Sequence, residues 1–430
     1  MKSSSYCKEQ QHQYNFFKKD TFLSLANTTS ILFYTTCLAT LFTFYLIYYP
    51  INITYTSNIQ EYNQISNFTQ PENGKSNNKS SDKCDLFKGQ WIQDERGPLY
   101  TNYSCKTIPL QRNCFLNGRK DRDFLHWKWK PDQCELPRFN AETFLSILQG
   151  RTMAFVGDSL ARNHMESLLC LLSTVETPKA IQEDKEEDKS AIWEFPKQNF
   201  TLMVFWSQFL VQSTEKVING SATGSFEIQL DKIDKKWSKK LPIMDYVIFS
   251  DAHWFSREHD LYEDDKHIGC VYCQKPNVTV LGPGPALRKA FRAAFKEINS
   301  CKNCKKVFTM LRTFSPSQFE NGEWNTGGGC NRTRLVERDE VAREGYDWET
   351  RKIQVEEIAV ARKLGEKSGN KFEILDVTEM MLMRPDGHPG VHWGNRWMNG
   401  YSDCIHWCLP GPIDAWNELL LEVIRRRQLT

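Results

Sequence analysis

The chain has 430 residues, room for one large domain or two ordinary ones, and its 55 basic and 53 acidic residues leave a net charge of +2. So even a balance carries no electrostatic footprint for a nucleic-acid partner. Aromatic residues make up 13% of the sequence and include 13 tryptophans, a content that serves a thick core and equally a cleft where sugar faces stack on rings.

Residues 31–49, ILFYTTCLATLFTFYLIYY, carry no charge and are long enough to span a bilayer. Lys2, Lys8, Lys18 and Lys19 precede this run, and no Lys or Arg follows it before Lys75. The positive-inside bias therefore predicts a single-pass type II signal anchor, with residues 1–30 in the cytosol and everything after Pro50 in the lumen. A cleaved signal peptide would be shorter, begin earlier and end in small residues. Residues 50–83 are rich in Asn, Gln, Ser and Thr, the composition of a disordered stem, so the folded domain is expected over residues 84–430. Sequons begin at Asn52, Asn67 and Asn78 in the stem, and at Asn102, Asn199, Asn219, Asn277 and Asn331 in the folded part, where they are candidates for glycosylation. Twelve of the 14 cysteines lie beyond the anchor, where thiols are oxidised.

Within the folded part, short apolar runs at 152–156, 246–249, 307–311 and 372–375 read as buried strands. Helical patterns stand between them, at 285–299 with Ala286, Ala290, Phe291, Ala294, Phe295 and Ile298 on one face, and over 337–365. The alternation predicts an α/β fold with a central parallel sheet covered on both faces. The charged run 183–189 reads as a solvated loop. Each predicted strand ends in polar residues, and ligand chemistry in such sheets gathers at carboxyl ends.

The first of these ends is Gly157-Asp158-Ser159, followed by a helix with Met165, Leu168, Leu169 and Leu172 on its apolar face. Ser159 either caps that helix or stands exposed as a nucleophile, with first-turn N–H groups to hold an oxyanion and Gly157 permitting close approach. A serine nucleophile needs a base and an orienting carboxylate. The stretch Ser402–Cys408, SDCIHWC, supplies both, because Asp403 and His406 share one side of a single turn. Gly411-Pro412 and a helix over 413–428 follow, with Asp414 at its start and Arg425–Arg427 at its end. Asp403, Cys404, His406 and Cys408 are also possible zinc ligands, and Cys270-x-x-Cys273 with Cys301-x-x-Cys304 has a zinc-ribbon form. In an oxidising lumen thiols pair first, so no metal is expected, and disulfides from Cys404 and Cys408 would pin the histidine loop.

Several long segments in this order resemble the plant Trichome Birefringence-Like proteins: CDLFKGQWIQDERGPLYTNYSC, GDSLARNHMESLLCLL, TFSPSQFENGEWNTGGGC, LMRPDGHPG and DCIHWCLPGPIDAWNELLL. The resemblance runs from Cys84 to the C-terminus. It implies a Golgi type II membrane protein with a GDSL/SGNH-esterase-like α/β/α domain that O-acetylates a cell-wall polysaccharide. It also implies Ser159, His406 and Asp403 as a triad, and disulfides Cys84–Cys134, Cys105–Cys170, Cys114–Cys408 and Cys330–Cys404. The pairing of Cys270, Cys273, Cys301 and Cys304 stays open. Many members of that family have Asn-Thr-Gly-His-Trp-Trp where this chain has Ser250-Asp251-Ala252-His253-Trp254-Phe255, so the asparagine oxyanion donor is missing. Arg162 and Asn163 are the substitutes, beside Gly157 and Asp158. Trp254, Trp324, Trp393 and Trp397 are candidate glycan contacts.

The resemblance favours the xyloglucan acetyltransferase branch, with transfer to side-chain galactose through an acetyl-serine. Mannan or xylan acetyltransferases, an acetylesterase with the same triad, and a non-catalytic wall-glycan-binding protein are the alternatives. No bound cofactor is expected. The acetyl donor is acetyl-CoA or a relay donor, with acetyl-relay partner proteins a further possibility.

Overall fold

The computed structural model describes residues 84–183, 190–394 and 400–428. The predicted tail, anchor and stem, residues 184–189 of the charged run, and Trp397 lie outside the described residues. Near the start, β1 (Gly89–Gln93) pairs antiparallel with β2 (Trp127–Pro131), and Trp91 meets Trp129 edge-on across the pair. Helix α1 (Ala141–Ile147), capped by Asn140, then leads into β3 (Thr152–Gly157) and helix α2 (Ser159–Leu172).

The remaining strands are β4 (Lys179–Glu183), β5 (Ala191–Phe195), β6 (Phe200–Trp206), β7 (Val211–Ile218), β8 (Ser221–Ile233), β9 (Tyr246–Ser250), β10 (His259–Glu263), β11 (Lys266–Val271), β12 (Phe308–Arg312) and β13 (Lys371–Leu375). Seven strands form the main sheet in the order β13-β12-β9-β3-β6-β5-β4. Pairing is parallel from β13 to β6 and antiparallel for β5 and β4. The four predicted strands stand side by side, from the β13 edge to β3 at the middle of the sheet, and the fold is α/β. The sheet is parallel only in part, because β5 and β4 return as hairpins, which need no crossover helix. A second sheet, ordered β11-β10-β8-β7, rises from residues whose mixed polarity gave no strand signal.

The pleat divides the core in two. Phe155, Ile248 and Met310 face α2 and the last helix, α5 (Asp414–Gln428), through Leu160, Leu168, Trp416 and Leu420. Ala154, Val156, Val247, Phe249 and Leu311 face α3 (Pro283–Ser300) and α4 (Gly345–Ser368). Each strand is apolar on both sides because helices cover both faces. Helix α3 extends the predicted 285–299 by two residues at the front and one at the back, with Pro in its first turn where a missing N–H costs nothing. The predicted helix 337–365 is divided: a 3-10 turn, Arg338–Glu340, closes in a capping box between Glu337 and Glu340, and α4 starts only at Gly345, whose φ is +74°.

Disulfides join Cys84–Cys134, Cys105–Cys170, Cys114–Cys408 and Cys330–Cys404. The remaining four cysteines close locally as Cys270–Cys273 and Cys301–Cys304, which leaves no thiolates for a zinc ribbon. Asn199, Asn219, Asn277 and Asn331 are exposed and Asn102 is half-buried at the surface.

Candidate active site

Gly157 ends β3 directly beside Ser250, the end of β9. Its φ is +147°, and a Cβ there would sit 1.9 Å from the Ser250 carbonyl oxygen, so only glycine brings the two strand ends this close. Asp158 follows and is the N-cap of α2: its Oδ1 accepts from Leu160 N–H at 2.9 Å. The capping role therefore belongs to Asp158, and Ser159, half-buried, is the first helical residue. Leu160 N–H goes to the cap, and Ala161 and Arg162 N–H go to the Asp158 carbonyl. Among the described residues, Ser159 N–H and its hydroxyl have no partner, so both are available to a substrate.

Asp403 and His406 form a closed unit. Asp403 Oδ1 accepts from the backbone N–H of Ile405 and of His406, which folds the stretch into a tight turn. The same carboxylate meets His406 Nδ1 at 2.8 and 3.0 Å. A carboxylate only accepts, so Nδ1 carries the proton and Nε2 is left as the basic atom. That Nε2 is buried and has no hydrogen-bond partner among the described residues. Behind the pair, Arg112 Nη1 lies 3.2 Å from Asp403 Oδ2. Burial opposes the Asp403 charge, but His406 and Arg112 outweigh it and hold the carboxyl below the usual carboxylate range. Burial lowers His406, Arg112 lowers it further, and Asp403 only partly offsets them, so the surroundings favour the neutral imidazole.

Distant segments fix this turn in place. Asn163, on the first turn after Ser159, accepts from Trp407 N–H at 2.8 Å and donates to the Trp407 carbonyl at 3.3 Å. The histidine loop is thus clipped to the helix that Ser159 opens. Asn163 is fully buried, with its carbonyl oxygen and one amide N–H engaged in holding the loop. His388 Nδ1 donates to the His406 carbonyl at 2.8 Å while its ring stacks on Trp407, and burial pushes its pKa down to about 4, so it serves as a neutral prop. Cys404 and Cys408, on either side of His406, are tied to Cys330 and Cys114. Ser159 and His406 are not hydrogen-bonded to one another, and such a pair often closes only around substrate.

Of the other predicted residues, Arg162 lies beside Glu166 with its guanidinium 5.2 Å over the Trp206 ring. Trp254 and Trp324 are bridged by Arg257, which stands 4.2 and 5.0 Å over their rings. Trp393 is instead bonded to the Tyr401 carbonyl. Arg112 and Trp206 escaped the sequence reading, while His253 and His388 stood inside quoted segments without a role of their own. For Arg112 the implied Cys114–Cys408 bridge offered a signal, since it draws that residue to the histidine loop. Among the described residues, no group of three or more His, Cys, Asp or Glu is placed to hold a metal.

A serine at a strand-to-helix turn and an Asp-His couple clipped to the same helix are the parts that an acyl-transfer site of the SGNH kind would use. Residues 136–423 match the GDSL/SGNH-like acyl-esterase family found in Pmr5 and Cas1p, and residues 82–135 match the PMR5 N-terminal domain. The chain belongs to this family, in its trichome birefringence-like group, and is an enzyme of the acyl-esterase and acyltransferase class. It is 58% identical to xyloglucan O-acetyltransferase 4 of Populus trichocarpa over 81% of this chain and 82% of the relative. It is 51% identical to xyloglucan O-acetyltransferase 3 of the same species over 93% and 98%, and 51% identical to xyloglucan O-acetyltransferase 2 of Arabidopsis thaliana over 80% and 83%.

Proposed function

We propose that the protein transfers acetyl groups to hydroxyls of a cell-wall polysaccharide, xyloglucan before mannan or xylan, and within it the side-chain galactose. The single observation behind the chemistry is the unpartnered, proton-free Nε2 of an Asp403-oriented His406, on a loop clipped through Asn163 to the helix that Ser159 begins. The names of the relatives support the acceptor.

In the first step His406 Nε2 takes the Ser159 proton as Oγ bonds to the acetyl carbon of the donor. The bond from that carbon to the donor's leaving group breaks, and His406 returns the proton to the departing group. Ser159 N–H, at the positive end of α2, faces the oxyanion, with Arg162 as the nearby cation. In the second step a sugar hydroxyl gives its proton to the same Nε2 and attacks the acetyl-serine. The ester bond to Oγ breaks, and the serine hydroxyl is restored. Asp403 keeps the tautomer and stabilises the transient imidazolium.

The donor is an activated acetyl group such as the thioester acetyl-CoA, or one relayed by a partner protein. The reading includes a Golgi membrane anchor at residues 31–49, a glycosylated lumenal domain and a plant cell-wall role. An acetylesterase with the same triad differs only in using water as acceptor. Incubating the protein with an acetyl donor and deacetylated oligosaccharides of xyloglucan, mannan and xylan, then weighing the products, decides between them. Acetylated xyloglucan fragments are expected, whereas loss of acetyl from pre-acetylated fragments without any gain would overturn the transferase reading.

A further inference from the structure

The segment after β9 brings a second histidine to the site, and the first step has no use for it. Asp158 is completely buried. Its Oδ2 accepts from the backbone N–H of Ala252 at 3.4 Å and of His253 at 3.3 Å, and lies 3.5 Å from His253 Nδ1. The flat face of the same ring stacks on Phe314, with centroids 4.4 Å apart and planes 19° from parallel. The ring is therefore fixed at one edge and on one face. Its Nε2 is buried with no hydrogen-bond partner among the described residues. It stands close enough to His406 to act on that group's charge.

Because the Asp158 carboxylate only accepts, a single ring proton sits on Nδ1 and leaves Nε2 with a lone pair. A hydroxyl donor would satisfy it. An acetyl ester or thioester has no donor at its reacting carbon, while a sugar has several. The adjoining surface has the complementary character. Trp254, the next residue, meets Trp206 edge-on at 6.1 Å. Arg162 and Arg257 stand over Trp206 and Trp254, Arg257 also reaches Trp324, and Trp324 is 43% exposed. These groups come from α2, the end of β6, the turn after β9 and the loop around residue 324. Trp206 is buried and Arg162 and Arg257 cover ring faces, so the exposed Trp324 indole is the stacking surface for the C–H face of a neutral pyranose, and the guanidinium groups are donors to its hydroxyls.

We propose that His253, Arg257 and the exposed Trp324 form the acceptor subsite, backed by Trp254 and the buried Trp206, with His253 Nε2 taking a hydrogen bond from a hydroxyl of the sugar to be acetylated. This rests on the transferase reading above and adds the side chains that hold its acceptor. The test uses the full chain and a deacetylated xyloglucan oligosaccharide. Calorimetric binding, with no acetyl donor present, compares Ser159→Ala with Ser159→Ala carrying His253→Gln or Trp324→Ala. Affinity is expected to fall about tenfold with His253→Gln and about threefold to tenfold with Trp324→Ala.

In chains that retain Ser159, the nitrophenolate burst from 4-nitrophenyl acetate reads the first step alone, and transfer to the oligosaccharide reads both. His253→Gln is expected to lower transfer much further than the burst, with the acceptor KM raised. Unchanged affinity in both variants overturns the subsite, as does a burst that falls in step with transfer. Because Trp324 is exposed, its binding result stands even where His253→Gln misfolds. Absence of any burst from the unsubstituted chain would refute the acetyl-serine route, and the binding comparison would still decide the subsite.

Discussion

His406 is a stronger case for a general base than its sequence context shows, because two of the three groups that set its properties lie far from it in sequence. Asp403 orients it, Arg112 stands behind Asp403, and His388 supports its carbonyl. A base works only while unprotonated, so activity is lost as pH falls through the pKa of His406. Burial and Arg112 depress that value, so the acid limb of kcat/KM is expected below about pH 6.5, the ordinary histidine range. Arg112→Gln removes the second cause and should move the limb to higher pH, and a limb that stays in place would exclude the electrostatic role. Asp403→Asn should lower turnover by about 10²–10⁴-fold with little change in the acceptor KM, measured by steady-state transfer. Ser159, Asp403 and His406 were readable as chemistry because serine after a strand and Asp-x-x-His are patterns over a few residues. Arg112 was not, because 291 positions separate it from Asp403 and only the folded chain brings them together.

At the level of elements, the legible parts were those whose burial is one-sided or complete. Strands β3, β9, β12 and β13 announced themselves as apolar runs, and α3 by its stripe of Ala and Phe. Strand β7 alternates buried and exposed positions only weakly and β8 is largely exposed at its start, so neither has a pattern to read. The break before α4 depends on a capping box and a glycine turn, which outweigh the helical periodicity of the segment. The junction between β3 and α2 is the strictest element. Gly157→Ala forces a Cβ into the Ser250 carbonyl at a φ foreign to alanine, and should cost about 1–3 kcal/mol in denaturant unfolding while lowering activity further than that loss explains. A Cys330→Ser/Cys404→Ser chain frees one side of the histidine turn and should lose about 2–4 kcal/mol.

For the whole molecule, the segment matching the PMR5 N-terminal domain supplies both Arg112 and Cys114 to the histidine loop, so the two matched regions build one site. Stability should carry a signature of α5 as well. Burial pushes Glu418 up to about 7 and Asp414 up to about 6, the latter against bonds from Ser167 and Tyr100. The folded chain holds these protons where an unfolded chain, with carboxyl values near 4, has released them. The stabilisation is therefore complete below about pH 4 and is lost as pH rises through 6 and 7. The depressed histidines oppose this loss while their unfolded counterparts still titrate near pH 6.5, so the carboxyl contribution is read by difference: from about pH 6 to 8 Tm should change with a more favourable slope in Glu418→Gln than in the parent chain. An equal slope in the variant would contradict this assignment.

The central claim, that Ser159 carries the acetyl group between donor and sugar, is tested most directly by quenching the protein with an acetyl donor in the absence of acceptor and mapping its peptides by mass. The account predicts one acetyl ester on Ser159 that disappears when oligosaccharide is added and never forms in Ser159→Ala. Transfer by a folded Ser159→Ala chain at an undiminished rate would contradict it.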